Sequence, residues 1–94
     1  MRQIGWTPKS LRAYKRLVCQ NPQLRVPIEE TLCQLAIDPF HPTLKTHKLK
    51  GQLAGSWACT VEYDCRIVFD FIEDIESGDG EILLLDIGSH DEVY

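Results

Sequence analysis

The stretch that decides the fold is residues 56–72, SWACTVEYDCRIVFDFI, because its hydrophobic residues recur with a period of two. The residues that share a face are Trp57, Cys59, Val61 and Tyr63 in the first half and Ile67, Phe69 and Phe71 in the second. Such alternation is typical of strands that bury one face. A tight link near Tyr63 and Asp64 makes the two strands a predicted hairpin.

Beyond the hairpin, a polar loop over residues 73–81 leads into the nearly apolar run Ile82 to Ile87. A continuous apolar run of this length predicts a central strand that is covered on both faces. Gly88 and Ser89 end this strand, and the chain closes with His90, Asp91, Glu92, Val93 and Tyr94.

Two helices are predicted before the hairpin. Thr7 and Pro8 form an N-cap followed by proline at the first helical position, and Asn21-Pro22 ends this helix. Its predicted buried face holds Leu11, Tyr14, Leu17 and Val18. The second helix is predicted from Pro27 to Asp38-Pro39, with Ile28, Leu32, Leu35 and Ala36 on one face.

The predicted fold class is therefore α+β: two N-terminal antiparallel helices packed on a twisted antiparallel sheet of three to four strands. The fourth strand would be a short edge strand at Gln3 to Trp6, and residues 40–55 are predicted to be irregular. Since the chain has 94 residues, we expect residues 1–94 to form a single domain.

Composition narrows the classes of function. Residues 1–50 carry nine Lys/Arg and three Asp/Glu, whereas residues 51–94 carry one and eleven, so that the net charge is −4. This acidic total argues against tight binding to free nucleic acid. With no signal-peptide core and no apolar run long enough to span a bilayer, we expect a cytoplasmic protein without a membrane partner.

Cysteines and nucleotide motifs give mainly negative predictions. The four cysteines, Cys19, Cys33, Cys59 and Cys65, form no C-x-x-C pair and are expected to be buried or half-buried thiols. No spacing supports a metal site, and no phosphate-binding glycine motif or G-x-S-x-G elbow is present. We therefore expect neither a metal nor a cofactor.

Three polar groups converge on the predicted sheet. They are the basic loop with Lys45, His47, Lys48 and Lys50, the hairpin residues Asp64 and Arg66, and the terminal His90, Asp91 and Tyr94. Each has an ordinary explanation: a solvated loop, an arginine paired with a nearby carboxylate, a histidine that caps a strand. Together they suit metal-free RNA cleavage, which needs a general base, a general acid and fixed cations.

The ordered motifs of the second half resemble the RelE/ParE toxins, and most of all their YafQ-like branch. They are His47-Lys48-Leu49-Lys50-Gly51, Ser56-Trp57, Val61-Glu62-Tyr63-Asp64, Arg66-Ile67-Val68-Phe69 and Leu85 to Tyr94. The resemblance runs from about Thr7 to the end of the chain. It implies two helices against a twisted antiparallel sheet.

The resemblance also implies a function. RelE- and YafQ-like toxins of type II toxin–antitoxin systems cut mRNA on the ribosome. They are blocked by a cognate antitoxin, through which a hetero-oligomer can sit on operator DNA. The alternative is a non-nuclease protein of this fold, such as a ParE-like DNA gyrase inhibitor or an antitoxin-binding regulatory module.

By motif, the resemblance assigns the catalytic residues His47, Asp64, Arg66, His90 and Tyr94, with Lys45, Lys48 and Lys50 contacting RNA. Either His47 or His90 would be the base, and His90 or Asp64 the proton donor. The chain departs from the branch at Thr60, where a further histidine is often found, and in its negative net charge.

Overall fold

The fold is a five-stranded sheet that carries two helices on one face. The computed structural model describes residues 2–50, 55–62, 65–72 and 80–89. Its elements are β1 (Gln3–Trp6), α1 (Pro8–Gln20), α2 (Arg25–Ile37), β2 (His47–Lys48), β3 (Trp57–Glu62), β4 (Cys65–Ile72) and β5 (Glu81–Ser89). Short 3₁₀ turns at Pro22–Leu24 and Pro42–Leu44 precede α2 and β2.

The strand order in the sheet is β1-β5-β4-β3-β2. The predicted β3–β4 hairpin, the interior position of β5 and the edge strand β1 are confirmed. The predicted cover on both faces of β5 is wrong, because Leu83 and Leu85 are only half-buried, and two further features of the sheet prediction were also wrong. β1 pairs parallel with β5, so the sheet is mixed. The segment predicted to be irregular contains β2, which pairs with β3 through only two residues and makes a fifth strand.

The start of α1 follows the sequence closely. Thr7 caps the helix, since its Oγ1 accepts from the Ser10 amide at 3.1 Å and its own amide donates to Ser10 Oγ at 3.0 Å. Ser10 and Ala13 are buried, whereas Leu11, which the sequence placed on the inner face, is 39% exposed. The buried stripe of α1 is therefore rotated toward small residues, which bring the helix close to the sheet.

The second helix starts at Arg25, two residues before the predicted Pro27, and Arg25 Nε lies 3.3 Å from Glu29 Oε1 one turn later. Proline is tolerated there because the first turn leaves backbone donors unpaired in any case. The sequence predicted an antiparallel helix pair, but the backbones of the two helices make few close contacts with each other. Instead α1 packs chiefly on β5, and α2 packs on β3 and β1.

The core fills the space between the helices and the sheet. Its buried members are Ile28, Leu35, Leu44, Cys59, Cys65, Ile67, Phe69, Ile82, Leu84 and Ile87. A second, smaller cluster of Leu49, Ala58 and Val68, flanked by Leu85, lies apart from it and holds no helix residue. Within the part of the chain that the structure describes, the sheet therefore has one face covered by helices and one face without them, which we call the open face.

A bulge in β5 adjusts the pattern of burial. Val68 pairs with Asp86 and Phe69 with Leu84, so Leu85 is an extra residue in the ladder. Because a bulge shifts the alternation by one residue, Ile82, Leu84 and Ile87 all reach the main core. Leu85 instead packs against the smaller cluster.

Burial of the cysteines divides them into two pairs. All four are free thiols; Cys59 and Cys65 are buried as expected, whereas Cys19 on α1 and Cys33 on α2 are exposed, contrary to the prediction. Neither thiol on the helices faces the core, because each stands outside the buried stripe of its helix. Among the described residues, neither helix has the length and apolar character that crossing a bilayer requires.

Candidate functional site

The open face brings together two of the residues predicted to be catalytic. His47 pairs across the sheet with Ala58, and Ala58 pairs with Val68. Arg66 lies two residues along β4 from Val68 and pairs with Thr60. Since paired residues, and residues two apart in one strand, point to the same side, His47 and Arg66 share the open face.

The backbone register sets the space between these two side chains. They stand two strand spacings apart across the sheet and two residues apart along it. Strand dimensions then place their Cα atoms roughly 12 Å from each other.

His47 is exposed, and one of its ring nitrogens is oriented by the backbone. Nδ1 lies 3.0 Å from the carbonyl oxygen of Lys45. A carbonyl can only accept, so Nδ1 must carry the proton in this bond. The neutral ring therefore presents Nε2 as its basic nitrogen. Lys45 has a left-handed backbone (φ 51°) at the end of the 3₁₀ turn, and that turn directs its carbonyl toward the ring.

Arg66 is half-buried, with small residues on both neighbouring strands. Its partners in the ladder are Thr60 and Gly88, and its Nη1 donates to the Cys65 carbonyl at 3.3 Å. Gly88 places no side chain beside the guanidinium. A fixed arginine of this kind suits a phosphate, which it can contact through two N–H groups at once.

The charge of Arg66 also acts through the sheet on Cys59. Burial and, to a smaller extent, the nearby Cys65 raise the pKa of the Cys59 thiol to about 12, although Arg66 acts to lower it. Burial outweighs the arginine, so Cys59 stays a neutral thiol at neutral pH. Cys59 is therefore a core residue rather than a nucleophile.

The three lysines of the predicted RNA-binding loop are exposed, but they do not form one group. Lys48 pairs across the sheet with Trp57, and its ammonium lies 5.9 Å from the centre of the Trp57 ring. Trp57 packs against the main core, so Lys48 points to the side of β2 opposite His47. Lys45 contacts His47 through its backbone carbonyl, and Lys50 lies beyond Leu49, at the far end of β2.

The remaining predicted site residues, Asp64, His90 and Tyr94, lie outside the described residues. Within the described ranges, no group of three or more His, Cys, Asp or Glu side chains is placed to hold a metal ion. The site that the structure presents therefore consists of His47 and Arg66, with the Lys45 carbonyl as the group that orients the histidine.

Sequence analysis missed a second polar region at the edge of the sheet. Lys9, Arg12, Ala13 and Arg16 of α1 and Asp86 of β5 line a groove of about 520 Å³, and Asp86 Oδ2 lies 3.6 Å from Lys9 Nζ. The available signal was Asp86 itself, the one charged residue within the apolar run Ile82 to Ile87.

Solved structures match the chain over nearly its whole length. YafQ from Escherichia coli strain BL21(DE3) is 14% identical with a TM-score of 0.79, covering 100% of this chain and 99% of that chain, and YafQ also matches in its complex with DinJ. A metal-bound toxin from Helicobacter pylori is 27% identical (TM-score 0.77, 100% of both chains). A YoeB/ParE toxin from Agrobacterium tumefaciens is 19% identical (TM-score 0.77, 94% and 98%).

No protein-family model fits the chain, and no curated protein is significantly similar to it. The structural matches confirm the resemblance that the motifs of the second half indicated.

Proposed function

We propose that this chain, which has the RelE/YoeB/YafQ-like toxin fold, is the toxin of a type II toxin–antitoxin system that cleaves mRNA on the ribosome. The observation that carries the proposal is the pairing of His47 and Arg66 on the open face. A proton acceptor and a fixed cation are two of the groups that metal-free RNA cleavage requires.

In the proposed reaction the 2′-hydroxyl of the RNA loses its proton and attacks the adjacent phosphorus. The bond from phosphorus to the 5′-oxygen breaks, and that oxygen gains a proton. His47 is suited to accept the first proton through Nε2, because its bond to the Lys45 carbonyl holds the required tautomer. Arg66 stabilises the negative charge that develops on the phosphate oxygens.

The motif resemblance supplies the other participants. His90 is the second candidate for the base and, with Asp64, a candidate for the proton donor, whereas Tyr94 would stack on or hydrogen-bond a nucleotide. Lys45, Lys48 and Lys50 would hold neighbouring phosphates. The ribosome would provide most of the substrate positioning, because a chain with a net charge of −4 binds free RNA weakly.

The same proposal places the protein in the cytoplasm and gives it an antitoxin partner. YafQ has been solved in complex with DinJ, and a bound polypeptide of this kind would block the toxin and could carry the complex to operator DNA. A ParE-like gyrase inhibitor is the second candidate. The observation that favours it is the acidic net charge, which departs from that of the RNA-cutting toxins.

The test is expression of the chain in bacteria. We expect growth arrest through loss of translation, with mRNA cut within codons. His47→Gln should reduce cleavage about 10²–10⁴-fold, because glutamine can still donate to the Lys45 carbonyl but cannot take up a proton. The matched control is His41→Asn, since His41 accepts from the Thr43 amide as a turn cap and asparagine can do the same.

Each result of this experiment decides between the candidates. DNA replication that stalls while translation continues would establish the gyrase reading instead. Cleavage by His47→Gln at the wild-type rate would remove His47 as the base and leave His90, whose alanine variant should be measured in parallel.

A further inference from the structure

The carbonyl that orients His47 belongs to the peptide unit that joins Lys45 to Thr46. A peptide unit is planar, so the direction of this carbonyl depends on how the chain is held at Lys45 and at Thr46. The contacts on either side of the unit therefore decide where the acceptor of the His47 Nδ1 proton lies.

On the Lys45 side, the unit is held by the 3₁₀ turn Pro42–Leu44. The Lys45 amide donates to the Pro42 carbonyl at 3.3 Å, and Leu44, which is only 3% exposed, anchors the turn in the main core. Lys45 itself has the left-handed backbone conformation (φ 51°). A residue with a side chain rarely adopts this conformation, and it persists where surrounding contacts maintain it.

On the Thr46 side, the unit is held by a hydrogen bond between a side chain and the backbone. Thr46 Oγ1 donates to the Pro39 carbonyl at 2.6 Å, which closes a loop back to the end of α2. Asp38 fixes the start of this loop, since its Oδ1 accepts from the Phe40 amide at 3.2 Å and its carbonyl accepts from the His41 amide at 3.1 Å. The residue directly before His47 is therefore tied to the end of a helix.

We infer that Thr46 is a positioning residue for His47: its hydroxyl holds the peptide unit whose carbonyl selects the tautomer with a basic Nε2. A neutral imidazole can carry its proton on either nitrogen, and the hydrogen bond made by one nitrogen decides which form is present. Without the bond from Thr46, the peptide unit can rotate and both tautomers become populated. The inference rests on the proposed function, in which His47 is the base, but the tautomer can be measured without any nuclease assay.

A second threonine offers a matched control. Thr31 Oγ1 donates to the Pro27 carbonyl at 2.8 Å, one turn earlier in α2. Because Thr31 is only 8% exposed, loss of its hydroxyl leaves a buried carbonyl with one partner fewer, as loss of the Thr46 hydroxyl does at Pro39. Comparison of valine variants at the two positions separates a positioning role from a general loss of stability.

The first measurement is the tautomer of His47 in the purified chain, read by NMR from the ¹⁵N resonances of the imidazole at a pH where the ring is neutral. His47→Gln identifies these resonances, because they disappear in that variant. We expect the wild-type chain and Thr46→Ser to carry the proton mainly on Nδ1. Thr46→Val should shift the ratio of the tautomers about tenfold toward the form protonated on Nε2, since one neutral hydrogen bond is lost.

The second measurement is the rate of mRNA cleavage on ribosomes. Thr46→Val should lower kcat about tenfold with little change in KM, because a free Nε2 is needed in the chemical step. Thr46→Ser should stay within about twofold of the wild-type rate, since serine keeps the donor, and Thr31→Val should leave kcat unchanged. Circular dichroism verifies that each variant folds, and Thr46→Ala is the second variant if valine disturbs the turn.

The outcomes separate the inference from the proposed function. A wild-type His47 that carries its proton on Nε2, or the wild-type tautomer ratio in a folded Thr46→Val or Thr46→Ala chain, would overturn the inference. An equal loss of kcat in Thr31→Val and Thr46→Val would do the same. A wild-type chain that cuts no mRNA would instead refute the proposed function, and the tautomer measurement would still decide the role of Thr46.

Discussion

The two faces of the sheet differ in what determines the position of their side chains. On the face under the helices, Phe69, Ile67 and Leu84 are fully buried and are held by contacts on every side. On the open face, His47 and Arg66 are positioned by the backbone register and by hydrogen bonds to carbonyl groups. Side-chain positions on the covered face are set by close packing, and those on the open face by the direction of hydrogen bonds. Substitutions on the covered face should therefore reduce stability, and those on the open face should reduce activity.

The largest effect is expected on the covered face. Phe69→Ala should lower the free energy of unfolding by about 3–5 kcal/mol, since a buried aromatic ring is lost and a cavity remains. The neighbouring Val68 is buried in the smaller cluster of the open face. Val68→Ala should lower the free energy of unfolding by only about 1.6 kcal/mol, because it removes two buried carbons at roughly 0.8 kcal/mol each. Equilibrium unfolding in urea measures both, and equal losses would show that the two faces are packed alike.

On the open face the expected loss is in activity. Arg66→Ala should reduce mRNA cleavage about 10²–10³-fold while the unfolding free energy changes by less than about 1 kcal/mol. Arg66→Lys should restore only part of the rate, because lysine lacks the planar pair of donors. Arg25→Ala, which removes an exposed arginine paired with Glu29, is the control. If Arg66→Ala loses stability and activity in proportion, the arginine is structural.

The smallest effect concerns Cys59 and appears only in alkali. Burial raises the pKa of its thiol from 9.0 to about 12. The folded chain therefore holds this proton when the unfolded chain has lost it. The contribution of Cys59 to the free energy of unfolding is complete below pH 9. It is lost as the pH rises toward 12, by up to about 1.4 kcal/mol per pH unit. In urea titrations this slope should be absent from Cys59→Ala and present in Cys19→Ala, which removes an exposed thiol.

The sequence was sufficient to predict those helices and strands whose signals lie within a few neighbouring residues. Thr7 and Pro8 start α1 because a capping hydroxyl and a preset φ act within one turn. The alternation in residues 56–72 is long enough to define β3, β4 and the face of each residue. The same alternation placed Arg66 opposite Phe69 and so identified the face on which the candidate site lies.

Elements that depend on distant partners were not predictable in the same way. Two residues are too few to show alternation, so β2 was missed. Nothing in Gln3 to Trp6 encodes that β1 runs parallel to β5. Lys48 was grouped with His47 because they are adjacent in the chain, although adjacent strand residues point to opposite sides. Leu11 is exposed because the approach of α1 to β5 selected Ser10 and Ala13 instead.

The bulge at Leu85 has a consequence for how genes of this fold can change in length. Removing that residue would leave Val68 opposite Asp86 and Phe69 opposite Leu84, because the extra residue lies between those two pairs. Ile87 would still point to the main core, and the strand would simply become regular. A codon can therefore be gained or lost at this point of the reading frame without exchanging the inside and outside of the protein, whereas one codon lost elsewhere in β5 would invert every side chain that follows.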